Sequence, residues 1–325
     1  MKAWLRAGVS LALFAAIFLV VPWHEVAGAW GRVNGWTWLV ALAGFLAGHL
    51  LGVGKWRMLV NASGGRLAAG DATMCYAAGL FANLCLPTLV GGDVLRATLA
   101  GTRSRQPQAA VWGSVIDRLN DLLATVILVG AGLLLSQREL PGIWRGLALL
   151  SAAILGALVA ALALPYVLRV PVRRWPPLLR RPVARAFVTL RRSARSPRAM
   201  LAGLAASITI QGLFTVLAAS LGYSIGIDVA PSAWLLAWPL AKIAGLLPVS
   251  LGGLAVREAA LASLLVPFGV SFAEGVVASL LWQTVLIAGG LIAGAAWWYL
   301  ARRRGARATL HPTATLSPPP AATNG

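Results

Sequence analysis

The sequence predicts an all-α polytopic membrane protein with about six transmembrane helices and two re-entrant, broken-helix hairpins related as an inverted repeat. Three observations carry this expectation: hydropathy, the placement of the basic residues, and a motif that occurs twice. Of 325 residues 59% are hydrophobic and 11% charged, and the mean hydropathy of +0.78 excludes a water-soluble enzyme. The 28 Lys and Arg against 9 Asp and Glu give a formal charge of +19. On a soluble fold that excess would suggest nucleic acid. Here the basic residues stand in short clusters between apolar runs, so the expected partner is the membrane and not nucleic acid. Cys75 and Cys85 share one apolar stretch, and His24, His49 and His311 are scattered. Neither set has the spacing of a disulfide framework or a metal site, so no metal and no cofactor are expected.

The elements follow in order. Residues 7–21, after Lys2 and Arg6, form a first apolar segment. It reads as an uncleaved helix, with Ala27-Gly28-Ala29 leaving a cleaved signal peptide as the alternative. Arg32 then lies outside. Residues 36–53 return and deliver Lys55, Arg57 and Arg66 to the cytoplasmic side. Residues 72–102 carry Pro87, the Gly91-Gly92 pair and Arg96, and neither half is long enough to cross. A single crossing here would put the loop 169–198, with its ten arginines, outside. That violates the tendency of basic loops to stay in the cytoplasm, so the region enters and leaves on the cytoplasmic side. Residues 109–135 then go out, 143–164 return, and 200–222 go out to a loop holding Asp228. A second broken region spans 232–268. A last helix over 274–300 brings Arg302, Arg303, Arg304 and Arg307 inside. Both termini are cytoplasmic, residues 1–304 form the membrane domain, and the Pro-rich residues 305–325 are expected to be disordered. Within the arginine loop, residues 183–195 place Val183, Phe187, Leu190 and Ala194 on one face, which suits a helix lying on an anionic membrane surface.

The two breaks read LPTLVGGDVLR (residues 86–96) and LPVSLGGLAVR (residues 247–257), an offset of 161 residues. Both match L-P-x-x-x-G-G-x-x-x-R. Three predicted crossings separate them, an odd number, so the second copy inserts from the opposite face. Pro87 and Pro248 end the first halves, and Gly91, Gly92, Gly252 and Gly253 allow the sharp turns. Irregular backbone at membrane depth must face protein or water, which implies a cavity. Each second half-helix starts inside the membrane, offering free N–H groups and a positive dipole end to an anion, with Arg96 or Arg257 one turn in. Asp93 stands where the second copy has Leu254. An Asp there is a good N-cap, which makes the second break, with Ser250, the freer anion site.

Along residues 109–135, Ser114, Asp117, Arg118, Asp121 and Thr125 fall on one helical stripe that must face the bundle interior. Lys242, Arg257 and Glu258 belong to the same set of intramembrane charges. Asp93, Asp117, Asp121 and Glu258 balance Arg96, Arg118, Lys242 and Arg257, four against four. A self-neutralised structural network is one reading. The favoured one is that the four bases, with Ser250, contact a phosphate headgroup, while the acids orient them or carry protons. His49, Gln211 and Gln283 read as ordinary interhelical hydrogen-bonding residues.

Three motifs resemble the lysylphosphatidylglycerol synthase transmembrane region, or flippase-like domain, family over nearly the whole chain. They are GGDVLR at residues 91–96, Asp117-Arg118 with Asp121, and PVSLGGLAVRE at residues 248–258. Asp117 stands where Glu is more usual, and Ala255 where Gly is expected. The resemblance implies a lipid translocator of the bacterial inner membrane, acting on an anionic phospholipid or a polyprenyl-phosphate-type lipid. The soluble domain that makes the aminoacylated lipid in the best-known members is not expected after Arg307, so no enzymatic activity is expected. Two rivals remain. A membrane enzyme would need a carboxylate pair or metal motif in its largest loop, which has arginines but no Asp, Glu or His. An accessory subunit of a lipid or lipid-linked glycan pathway is the other. None of these motifs encodes substrate identity, energy coupling, direction or oligomeric state.

Overall fold

The computed structural model describes residues 31–86, 91–104, 106–136, 195–246 and 255–310, with a few isolated positions that include Arg192. Among the described residues the chain is helical and has no strand. The helices are α1 (Gly35–Ala62), α2 (Ala69–Cys85), α3 (Gly91–Arg103), α4 (Pro107–Leu135), α5 (Pro197–Ser224), α6 (Pro231–Ala244), α7 (Val256–Leu265) and α8 (Phe272–Leu310). Four of them contain stretches long and apolar enough to cross a membrane: Gly35–Ala62, Pro107–Leu135, Pro197–Ser224 and Phe272–Arg303. The protein is an all-α polytopic membrane protein. The expected crossings over 7–21 and 143–164, most of the arginine loop and the tail beyond 310 lie outside the described residues.

The chain builds the same four-part unit twice: long helix, two half-helices, long helix. Corresponding starts fall close to the motif offset, 35 against 197, 69 against 231, 91 against 256 and 107 against 272. Packing repeats under the exchange of halves. Helix α2 lies on α8 as α6 lies on α4, and α3 lies on α4 as α7 lies on α8. The two leading helices, α1 and α5, run antiparallel. Gly44 faces Leu217, Gly48 faces Phe214, Lys55 reaches Ser207, and Leu59 lies against Gly203. An exchange that reverses a helix direction needs an axis across that helix, so the pseudo-two-fold lies in the membrane plane, as in an inverted repeat.

The feet of the hairpins confirm the inversion. The Ser104 hydroxyl, just past α3, donates to the Gly65 carbonyl, just before α2. Both ends of the first hairpin therefore sit on the face where α1 ends. In the second, the Tyr223 hydroxyl donates to the Val229 carbonyl at 3.0 Å, and Gly222 packs on Trp234 at the start of α6. Ala262, near the end of α7, packs on Gly275 at the start of α8. These feet lie on the face where α5 ends, opposite the first.

Close approaches are made by glycine. A Cβ on Gly79 of α2 would stand 2.7 Å from the Gly92 carbonyl of α3, and one on Gly113 of α4 would stand 2.6 Å from the Val60 Cα. The hairpin tips, residues 87–90 and 247–254, lie outside the described residues, and with them Pro87, Pro248, Ser250, Gly252 and Gly253. Gly91 and Gly92 open α3. Ala255, before α7, has φ +67°, in the left-handed region. The expectation of glycine there is thus explained, since alanine bears about 1–2 kcal/mol of steric cost in that conformation.

Apolar residues divide between an aromatic core and a lipid-facing surface. Phe45 of α1 stacks on Phe214 of α5, and Trp282 of α8 meets Phe45, Phe214 and Trp238 of α6. Trp36, Leu50, Leu134, Leu135 and Leu201 point outward, as a bilayer requires. Near the end of α8 the Arg302 and Arg303 guanidiniums stack on Trp298 and Tyr299, an interfacial pattern of aromatic and basic groups. Helix α8 itself runs to Leu310, past the expected boundary at Arg304. Residues 301–308 hold only Ala, Arg and one Gly, which extend a helix until Pro312 approaches.

Candidate functional site

Intramembrane charges from four helices meet around one cavity lined by the first hairpin together with α1, α4, α5 and α6. Arg96 on α3 donates from Nη2 to Asp117 Oδ2 at 2.7 Å and lies 3.3 Å from Asp93 Oδ1. Its guanidinium is held between the rings of Trp56 and Tyr76, 5.1 and 5.0 Å from their centroids. Asp93 also accepts from Arg118 Nε at 2.6 Å. The capping role expected of Asp93 is therefore replaced. Two guanidiniums engage its carboxylate, and the Gly92 amide in the first turn of α3 donates instead to Asn83 Oδ1 at 3.1 Å. The two guanidiniums bring full positive charge to an intramembrane carboxylate, which a backbone amide does not, and that accounts for the exchange.

Lys55 corrects a second expectation. Read as a cytoplasmic topology charge, it lies inside α1, which continues nine residues past the expected end at 53. It is buried, with Nζ 2.5 Å from Asp121 Oδ1, 3.0 Å from Asp117 Oδ1 and 3.0 Å from Ser207 Oγ. Ser207 in turn donates to Asp121 Oδ1 at 2.8 Å. With two carboxylates in α4 directly opposite, the ammonium gains more by entering the bundle than by ending the helix at the surface.

The described residues line a partly open cavity of about 100 Å³. Lys55, Asp93, Arg96, Arg118, Asp121 and Lys242 line it together with the neutral His49, Tyr76, Asn83 and Gln211. Lys242, in the last turn of α6, donates to Gln211 Oε1 at 2.6 Å. His49 Nδ1 lies 3.2 Å from the Tyr76 hydroxyl. His49 and Gln211 make the interhelical hydrogen bonds expected of them, with Tyr76 of α2 and Lys242 of α6. They occupy matching places on the antiparallel α1 and α5, and only that pairing brings them to one cavity.

Counting Lys55 changes the charge balance. Around the cavity Asp93, Asp117 and Asp121 face Lys55, Arg96, Arg118 and Lys242, three acids against four bases. Arg96 and Lys55 are each held by two carboxylates, and Arg118 by one, its side chain 45% exposed. The hydrogen-bond acceptor of Lys242 among the described residues is an uncharged amide. Among the described residues the site is thus a cation-rich cavity in which one ammonium, that of Lys242, makes no direct ion pair.

Arg257 and Glu258 do not join it. Arg257 Nη2 donates to Glu258 Oε1 and to Gln283 Oε1, both at 2.6 Å. Glu258 is wholly enclosed, and its Oε2 has no hydrogen-bond partner among the described residues. By the repeat, Arg257 is the counterpart of Arg96, yet it closes a separate cluster between α7 and α8 and does not line the cavity. Ser250 lies outside the described residues.

Long apolar spans around two oppositely inserted hairpins, with a charged cavity between them, define a multi-pass membrane protein of the inverted-repeat class. The chain belongs to the family of the Lysylphosphatidylglycerol synthase TM region, which matches residues 4–294. It is accordingly a membrane protein of lipid-related processes. No curated protein and no solved structure matches the chain significantly.

Proposed function

We propose that the protein is a lipid flippase-like transporter, without enzymatic activity, that moves a phosphate-bearing lipid between leaflets of the bacterial inner membrane. The observation that carries this reading is the ammonium of Lys242, which faces a cation-rich cavity between inverted hairpins and, among the described residues, hydrogen-bonds to an amide and makes no ion pair. An anionic phospholipid or a polyprenyl-phosphate-type lipid supplies the missing negative charge. Its phosphate replaces Gln211 on Lys242 and shares Arg118 with Asp93, while Arg96 and Lys55 stay tied to the carboxylates and hold the walls. A cavity of about 100 Å³ has room for a phosphate and none for acyl chains, which remain in the bilayer. Inverted hairpins around one site can open it to either face in turn. Arg57, Arg66, Arg103, Arg195, Arg198, Arg302 and Arg303 all gather on the face where α1 ends, which supports a cytoplasmic assignment for that face and for the end of α8.

The test is reconstitution into liposomes carrying fluorescent phospholipids or a polyprenyl phosphate, with reagent-accessible lipid measured in each leaflet. Lys242→Ala and Arg118→Ala should each lower transfer by at least about tenfold, the loss of one charge-assisted contact, while the proteins still purify folded. Unchanged transfer in both variants would remove the site. Absence of transfer by the folded wild type across the lipid panel would favour an accessory role in a lipid or lipid-linked glycan pathway.

A further inference from the structure

A second polar cleft, which shares no lining residue with the central cavity, lies on the face where α1 ends. Its volume is about 450 Å³, within the range of about 300–1,000 Å³ found for ligand sites. Among the described residues it is lined by Asn61, Gly64, Arg66, Gln106 and Arg192, two arginines and no carboxylate. These residues come from three separate segments: the last turn of α1 with the connection after it, the N-cap of α4, and the arginine loop.

The α1–α2 connection is locked from several sides. Asn61 Oδ1 accepts from the Leu67 amide at 2.5 Å, Arg57 Nε donates to the Leu67 carbonyl at 2.9 Å, and the Ser104 hydroxyl donates to the Gly65 carbonyl. The lock holds Arg66 at φ +48°, a conformation a non-glycine residue adopts only at a cost, and leaves its side chain exposed at the cleft. Arg192 Nη1 donates to Gln106 Oε1 at 3.2 Å, which fixes the second guanidinium beside the same space. Gly64, at φ +100°, gives the room: a Cβ there would stand 2.6 Å from Arg192 Nη1 and 2.8 Å from Gln106 Oε1. Asp71, at the start of α2, is engaged by Arg103 at 3.6 Å.

We infer that this cleft is a second anion site, in which Arg66 and Arg192 grip a phosphate group from two sides and the Asn61 and Gln106 amides complete the contact. Guanidinium forks match phosphate oxygens in a way a single ammonium cannot, and two of them converging on one open space without a carboxylate define such a receptor. The strain at Arg66 is what aims it. The phosphate belongs either to a phospholipid headgroup of the adjacent leaflet or to a soluble phosphomonoester. The site is independent of the transport reading, because none of its residues lines the central cavity.

The experiment uses the full chain in nanodiscs of phosphatidylcholine. One arm adds a minor fraction of phosphatidylglycerol and counts retained lipid by native mass spectrometry. The other titrates sn-glycerol 3-phosphate and reads binding calorimetrically. Arg66→Gly removes the guanidinium while relieving the positive φ, so it should melt no lower than wild type. Arg192→Gln leaves Gln106 a polar neighbour. Each should weaken binding by about tenfold in one arm, and the pair together by more. Loss in the lipid arm assigns a headgroup site, and loss in the soluble arm assigns a phosphomonoester site. Binding of both probes unaffected by the double variant, or no binding of either probe to wild type, overturns the inference. Lys242→Ala should lower only the lipid retained by the central cavity and leave the further loss caused by Arg66→Gly and Arg192→Gln in place, which separates failure here from failure of the transport reading.

Discussion

At the residue scale, the structure turns on Lys55. Its ammonium closes onto Asp117 and Asp121, and Asp117 is also held by Arg96. Removing one partner of a buried ion pair strands the other, a cost of about 3–5 kcal/mol. Lys55→Met should therefore lower stability by that order, read as the unfolding midpoint in detergent. Adding Asp121→Asn should restore most of the loss, since Asp117 keeps Arg96. If the double variant melts as low as Lys55→Met alone, the ion-pair account of the loss is wrong. Lys242 differs in kind: its partner is neutral, so its removal strands no charge and should cost function before stability. The two lysines look alike in sequence, as single cations in apolar stretches. What distinguishes them is the identity of the group across the helix interface.

At the scale of elements, the half-helices depend on glycine contacts. Gly92 of α3 lies with its backbone directly on Gly79 and Asn83 of α2, and Gly113 of α4 lies on the backbone of Val60. A methyl at either place meets main chain, which cannot rotate away. Gly92→Ala and Gly113→Ala should each destabilise by about 1–3 kcal/mol, the usual range for overpacking, and lower the folded yield. Gly130, also within α4, has open space around its Cβ position. Gly130→Ala should be neutral or raise stability by up to about 1 kcal/mol through helix propensity alone. Thermal melts of the three variants in one detergent check the contrast, and equal melts for all three would remove the packing argument. The motif's glycines were legible in sequence as turn residues. Their tight contacts were not, because Gly79 lies outside the motif and meets Gly92 only once the hairpin has folded back.

At the scale of the whole molecule, the prediction concerns faces. With Cys75 and Cys85 replaced, a cysteine at Ser104 or Ser196 should label from one side of sealed vesicles, and a cysteine at Gly226 or Ser271 from the other. Labelling of Ser104 and Ser271 from the same side would contradict the opposed hairpins. The antiparallel packing of α1 and α5 makes this arrangement necessary. It also places the cavity where both halves contribute, Asp93 and Arg96 from the first hairpin and Lys242 from the second.

The sequence by itself determined the class of fold, the two breaks and their inversion, the family, and most of the charged residues of the site. Each of these is written along the chain, as hydropathy over a span, a basic bias between spans, or a motif at a fixed offset. Only the tertiary structure decided which charges meet. Lys55 looked like a surface cation because periodicity cannot show that two carboxylates lie opposite it. Asp93 looked like a helix cap because the guanidinium of Arg118 comes from another helix. Arg257 looked like the twin of Arg96, yet Gln283 and Glu258 hold it elsewhere. The partner of a buried ionisable group is set by packing between distant segments, and burial makes that partner decide whether the group binds structure or ligand.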